Sequence, residues 1–110
     1  MPVYIICLEK PLGSEKHKAS HYIGYSPNTR TLYNRLKQHF NGRGSAFTRA
    51  AYEKGIKFKV TAIYSGDRIT ERKMKNQKNH KKFCPNCTNY KPKYRKFRNH
   101  RIIMENFNKC

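Results

Sequence analysis

"HYIGYSPNTRTLYNRLKQHF", residues 21–40, changes its period partway along. Residues 21–26 are short, apolar and aromatic, the composition of a strand. From Leu32 the spacing lengthens: Leu32, Leu36 and Phe40 recur every fourth residue and form one stripe of an amphipathic helix. Asn28 or Thr29 can accept the free N–H groups of its first turn, and Gly42 can end it. The preceding "VYIICLE" (3–9) is an apolar, β-branched run, a buried strand in its own right. The charged stretch "KPLGSEKHKAS" (10–20) then reads as a surface loop, making the two strands a long-looped hairpin.

Downstream, "SAFTRAAYEKG" (45–55) is a shorter helix with Phe47, Ala50 and Ala51 inward. "KFKVTAIYSG" (57–66) carries Phe58, Val60, Ala62 and Tyr64 at period two, a third strand. "DRITERKMKNQKNHKK" (67–82) is a third helix, capped by Asp67 or Ser65. Its apolar stripe is only Ile69 and Met74, so most of its surface must face solvent or a ligand. Strand, strand, helix, helix, strand, helix is the order of an α+β domain, a small three-stranded antiparallel sheet flanked by helices, over residues 1–80. Residues 81–110 change composition and form a basic, aromatic-rich C-terminal extension, a separate small element or an arm.

The charge names the class of partner. Twenty-five lysines and arginines against six acids give a formal charge of +19 in 110 residues. Such a chain repels itself when free and is relieved beside a polyanion, nucleic acid above all, because bound cations release phosphate counterions. No apolar run approaches the roughly 18 residues a membrane span needs. The start, "MPVYIICLEK", has no basic region leading into an apolar stretch and cleavage site. With Cys7, Cys84, Cys87 and Cys110 suggesting a reduced compartment rather than a disulfide framework, a cytoplasmic setting is expected.

Within this basic chain one acid is isolated. After Glu71 no carboxylate occurs before Glu105, and twelve lysines and arginines lie between them. Glu71 falls in the first turn or so of its helix, where it complements the dipole, and it can pair with Lys75 four residues on. Arg35 and His39 are also four apart and share one helix face. Tyr4 and Tyr22 sit on the two candidate strands, and Gly24 permits close backbone approach. Taken singly, each residue has a plain structural reading: an ion pair, an exposed arginine, a packed histidine, core tyrosines.

Taken together, "VYI" at 3–5, "YIG" at 22–24, Arg35 and His39 in "RLKQH", and a glutamate on the last helix resemble the GIY-YIG nuclease family. The resemblance covers roughly residues 3–80, and "HFNGRGSAFTRAA" also looks like the segment that follows the helix in small members. It implies a metal-dependent endonuclease acting on DNA with low sequence specificity or structure specificity. Tyr4 and Tyr22 would position or deprotonate the attacking water, with either one as the base. Arg35 would stabilise charge on the scissile phosphate. His39 would assist proton transfer or hold a tyrosine in place, and Glu71 would ligate one divalent ion, Mg²⁺ or Mn²⁺. On that implication the lone acid is the metal ligand. Two departures stand out: Val3 replaces the first motif's glycine, and the inter-motif segment "CLEKPLGSEKHKAS" is long, with a few extra residues also before Arg35.

Phosphate contacts are expected from Lys37 and Arg49 on the first two helices and from Arg43 between them. Arg72, Lys75, Lys78, Lys81 and Lys82 would add to them from the third, and Arg95 and Arg98 from the tail. In that tail "CPNC" (84–87) is the turn of a zinc knuckle, with His80, His100 and Cys110 the nearby candidates to complete four ligands, none at a convincing spacing. A reduced, unligated cysteine pair is the other reading. "YKPKYRKFRNHR" interleaves aromatics with bases, as stacking on unpaired bases requires, or is a solvated basic arm. Two further functions fit the charge: a non-catalytic basic zinc-knuckle binder of DNA or RNA, and a ribosome-associated basic protein. Neither has a use for Glu71.

Overall fold

A computed structural model describes residues 1–13, 18–77, 80–88 and 93–108. Three antiparallel strands, β1 (Pro2–Gly13), β2 (Lys18–Tyr25) and β3 (Phe58–Ser65), form one sheet in the order β2-β1-β3. Two helices, α1 (Thr29–Phe40) and α2 (Ala46–Glu53), intervene before β3, and α3 (Arg68–Lys75) follows it. A single 3₁₀ turn (His80–Phe83) and a terminal helix α4 (His100–Asn108) complete the order. The α+β architecture and its element sequence to residue 75 are those expected.

Both sheet faces are covered, and strand alternation sorts the side chains between them. Tyr4, Ile6 and Leu8 point to the face that holds Leu32 and Leu36 of α1 and Ala51 of α2. Val3, Ile5 and Ile23 point to the other, against Met74 of α3, Phe83 and Cys84. The starts of α1, α2 and α3 are fixed by side-chain caps. Asn28, Ser45 and Asp67 accept the backbone N–H groups of Thr31, Thr48 and Thr70.

The structure departs from the sequence reading in four places. The expected loop at 10–20 is largely strand: β1 continues to Gly13 and pairs Leu12 with Ala19. The β1–β2 register shifts between Cys7 and Leu12, an interval containing Pro11, which has no N–H for the ladder. Phe58, Val60, Ala62 and Tyr64 do not share a face, because the β1–β3 register slips between Ile5 and Ile6, leaving Thr61 as a bulge. Phe58 and Val60 therefore join the core under α1, and Ala62 and Tyr64 the opposite one. The third helix ends at Lys75, with Asn76 as its C-cap, and Ile69 is 62% exposed, so Met74 alone anchors it.

The C-terminal segment lies against the sheet. Ile103 of α4 is buried among Leu36, Phe58 and the rest of the first core, and Phe107 stacks on Phe40 at 5.9 Å. Asn108 bridges the backbone of β3, its Oδ1 accepting from Val60 N and its Nδ2 donating to Val60 O. Among the described residues, no helix is long and apolar enough to cross a membrane. Ile103→Ala removes a fully packed side chain and is expected to destabilise the whole domain by about 2–5 kcal/mol in urea unfolding. A far smaller loss would show that α4 contributes little to the fold.

Candidate active site

Tyr4 of β1 and Tyr22 of β2 project from the same sheet face toward α1, where His39 is 3% exposed. The ring centroids lie 6.2 Å (Tyr4–Tyr22), 5.6 Å (Tyr4–His39) and 5.1 Å (Tyr22–His39) apart. Phe47 of α2 stacks on the outer side of Tyr22 at 6.1 Å.

His39 is held at both nitrogens: Nε2 is 2.9 Å from Tyr4 Oη and Nδ1 is 2.7 Å from Thr48 Oγ1. Burial, reinforced by the Arg35 charge, pulls its pKa from 6.5 down to about 4, so the ring is neutral at physiological pH. Burial pushes the Tyr4 phenol far above its ordinary value, with the nearby Tyr22 adding to the rise. A protonated phenol and a neutral imidazole fix the direction of the chain. Tyr4 donates to Nε2, Nδ1–H donates to Thr48, and the Thr48 hydroxyl donates onward to the Ser45 carbonyl at 3.3 Å.

Two glycines make room for this chain. A Cβ on Gly24, opposite Tyr4 in the sheet, would lie 2.4 Å from Tyr4 Oη. A Cβ on Gly44 would lie 2.2 Å from His39 Nδ1. Gly24 was legible in "YIG". Gly44, Ser45 and Thr48 were missed, and the signal was present: "GRGS" closes the turn that brings α2 onto the histidine.

Arg35, one helical turn before His39, is exposed at its surface, and its Nη1 donates to the Tyr25 carbonyl at the end of β2. Its positive charge acts on both Tyr4 and His39. Glu71 approaches from α3. Its side chain is 18% exposed, Lys75 Nζ lies 3.6 Å from its carboxylate, and that ammonium sits 5.7 Å above the Tyr22 ring. The carboxylate is close enough to contribute to the rise at Tyr4. All five residues singled out in the sequence thus converge at one end of the β1–β2 pair.

The basic residues are dispersed. Lys37, Arg43, Arg49, Arg72, Lys75, Arg95 and Arg98 are exposed, though Arg49 is engaged by Glu53 at 3.2 Å. Lys82 is half-buried with its ammonium over Phe83. Lys78 and the Lys81 side chain lie outside the described residues. Of the companions considered for Cys84 and Cys87, His80 and His100 bond instead to the Lys75 and Phe97 carbonyls. Cys110 lies outside the described residues. Cys7 and His21 stand beside the pair in their place, from strands where no local spacing announced them.

No curated protein and no solved structure gives a significant match to the chain. The family model of the GIY-YIG catalytic domain matches residues 1–84, a span that holds all three strands, Tyr4, Tyr22, Arg35, His39 and Glu71. That span is 84 of 110 residues, and the sheet and helices around it are arranged as this nuclease fold requires: the chain belongs to the GIY-YIG catalytic-domain family.

Proposed function

We propose that the protein is a metal-dependent endonuclease that hydrolyses phosphodiester bonds in DNA, selecting DNA structure or little sequence at all. The observation that carries this reading is the convergence of Tyr4, Tyr22, Arg35, His39 and Glu71 from four separate elements on one end of the sheet. Strongly shifted groups gathered beside an exposed arginine and a carboxylate are the arrangement acid–base chemistry needs and phosphate binding alone does not.

The chain's own residues supply most of the chemistry. Neutral His39 has its Nε2 lone pair directed at Tyr4, so a proton leaving water for the Tyr4 oxygen is matched by the phenolic proton passing to Nε2. Thr48, bonded at Nδ1, holds the ring in the tautomer this transfer needs. Tyr22, half-buried between Phe47 and His39, positions the water. Arg35 is exposed and spends its guanidinium on a backbone carbonyl, a bond it can exchange for the scissile phosphate. Glu71 fits a hard divalent ion such as Mg²⁺, which takes one or two protein carboxylates and fills its other positions with water and substrate oxygens. Such an ion, when bound, supplies Lewis-acid polarisation and charge neutralisation at the phosphate. Residues 1–80 are the catalytic unit in this reading, and residues 81–110 brace it and add phosphate contacts.

Three outcomes test it. Glu71→Gln is expected to lower Mg²⁺- or Mn²⁺-dependent nicking of supercoiled plasmid by roughly 100-fold or more while leaving plasmid binding intact. A plasmid retarded but uncut by both proteins with either metal would favour the non-catalytic binder instead. Gly24→Ala drives a methyl into Tyr4 Oη and is expected to remove cleavage while leaving plasmid binding intact. Full cleavage activity in this variant would remove Tyr4 from the mechanism. The third outcome concerns pH. Because the folded-state pKa of His39 lies near 4, below its ordinary 6.5, the unfolded chain takes up this proton first. The stability His39 contributes is complete above about pH 6.5 and is lost as pH falls toward about 4. Between those values the melting temperature of the wild type should fall more steeply than that of His39→Gln. Parallel curves would mean that His39 is not held neutral.

A further inference from the structure

On the sheet face opposite the tyrosines, Cys7 of β1 pairs directly across from His21 of β2. The turn 84–87 then places Cys84 and Cys87 over them. The sulfurs of the three cysteines and one imidazole nitrogen all lie within 4.8 Å of one another. We propose that Cys7, His21, Cys84 and Cys87 are a closed, four-ligand zinc site that staples the chain after α3 to the β1–β2 edge of the nuclease sheet.

Two of the separations match a tetrahedron around one ion, and the whole set is compact enough to close on it. Zinc–sulfur bonds of about 2.3 Å and zinc–nitrogen bonds of about 2.05 Å put neighbouring sulfurs about 3.8 Å apart and sulfur and nitrogen about 3.6 Å apart. Cys7 Sγ and Cys87 Sγ are separated by 3.6 Å, and His21 Nε2 and Cys87 Sγ by 3.3 Å. None of the three cysteines is in a disulfide. Thiol hydrogen bonding alone is a weak reason to gather three sulfurs from two distant parts of a chain. A zinc ion supplies a strong one, and the three thiol protons leave to solvent as it binds.

The surroundings are those of a ligand set. Ser20 Oγ lies 3.1 Å from His21 Nδ1, which directs the Nε2 lone pair inward. Thr61, the bulged residue of β3, brings Oγ1 to 3.2 Å from Cys84 Sγ. Within the knuckle, Cys87 N donates to Cys84 O at 3.1 Å and closes the tight turn. Three thiolates and a Zn²⁺ carry one net negative charge, a favourable island in a chain of charge +19. Soft sulfur donors also separate this site from Glu71: the first takes zinc, the second a hard oxygen-seeking ion.

The site joins the family's catalytic sheet to the tail. His21 immediately precedes Tyr22, so an ion held by His21 fixes β2 next to a catalytic side chain. Phe83 and Cys84, both buried, are carried onto the second core by the same attachment.

The test is metal content and cobalt spectroscopy of the full chain, purified under reducing conditions without chelator or polyhistidine tag. About one equivalent of tightly held zinc is expected. After exchange, Co²⁺ should give the sulfur charge-transfer and tetrahedral d–d absorption of mixed thiolate–imidazole coordination. Cys7→Ser and Cys87→Ser should each lose tight binding. His21→Cys should retain one equivalent with stronger charge-transfer, a variant that stays informative if the serine variants fold poorly. Glu71→Gln should keep its full zinc content even where cleavage is abolished, which separates this site from the reaction. Wild-type protein that takes up no Co²⁺, or a Cys7→Ser variant with an unchanged cobalt spectrum, would overturn the assignment.

Discussion

The bond from the Tyr4 hydroxyl to His39 Nε2 ties the middle strand of the sheet to α1 at a buried point beside the half-buried Tyr22. Two buried polar groups meet there, and either one left unpaired would cost more than the bond itself contributes. That constraint propagates outward. It requires glycine at position 24, opposite the phenol, and at position 44, beside the imidazole. It requires Thr48 at the start of α2 to engage the second imidazole nitrogen, and so fixes where α2 lands on α1. Site and core are therefore one construction: the residues proposed for proton transfer are also those that lock helix to sheet.

Alternation along β1 and β2 divides the molecule's chemistry between two faces. Tyr4 and Tyr22 fall on one side, and Cys7 and His21, in odd register with them, fall on the other. A one-residue slip of β2 against β1 would exchange the sets, sending His21 toward the helices and Tyr22 toward the cysteines. Register is protected by what each face packs against: Leu32 and Leu36 on one, Met74 and Phe83 on the other. The bulge at Thr61 applies the same logic to β3, since it lets one strand place Val60 in the first core and Tyr64 in the second. Tyr64 then donates to the Phe83 carbonyl at 2.6 Å, securing the turn that leads into the cysteine knuckle.

Legibility in the sequence followed interaction range. The caps of α1 and α3 were readable because Asn28 and Asp67 act within three residues of themselves; Ser45 caps α2 over the same range and was missed. The stripe of α1 was readable because 3.6-residue periodicity is local, as was the order of elements it fixed. The β3 bulge was not, because an uninterrupted alternation at 58, 60, 62 and 64 looks the same whether or not the partner strand slips. The exposed Ile69 misled for a related reason: spacing places it on a stripe, but α3 has only eight residues and buries only Met74. The candidate site residues were singled out through five features taken together rather than through any one of them. Cys7 and His21 carried no such pattern, since their connection to Cys84 and Cys87 spans more than 60 residues and exists only after the sheet has formed.

Glu71 shows how a single carboxylate works inside so basic a chain. Its only close cation in the described structure is Lys75, at 3.6 Å, and that lysine is exposed and also overlies Tyr22. A helical i,i+4 pair contributes about 0.5 kcal/mol, and the lysine end of this one is exposed, so the lysine holds the site loosely. A divalent ion at the carboxylate and a phosphate at the lysine would each replace half of that pair with a stronger partner, and the two replacements favour one another because ion and phosphate carry opposite charge. Released from the carboxylate, the same ammonium would still have the Tyr22 ring beside it. In the proposed nuclease the surplus of lysine and arginine would not compete with the metal for Glu71 once DNA is present, because the backbone would draw those cations to itself.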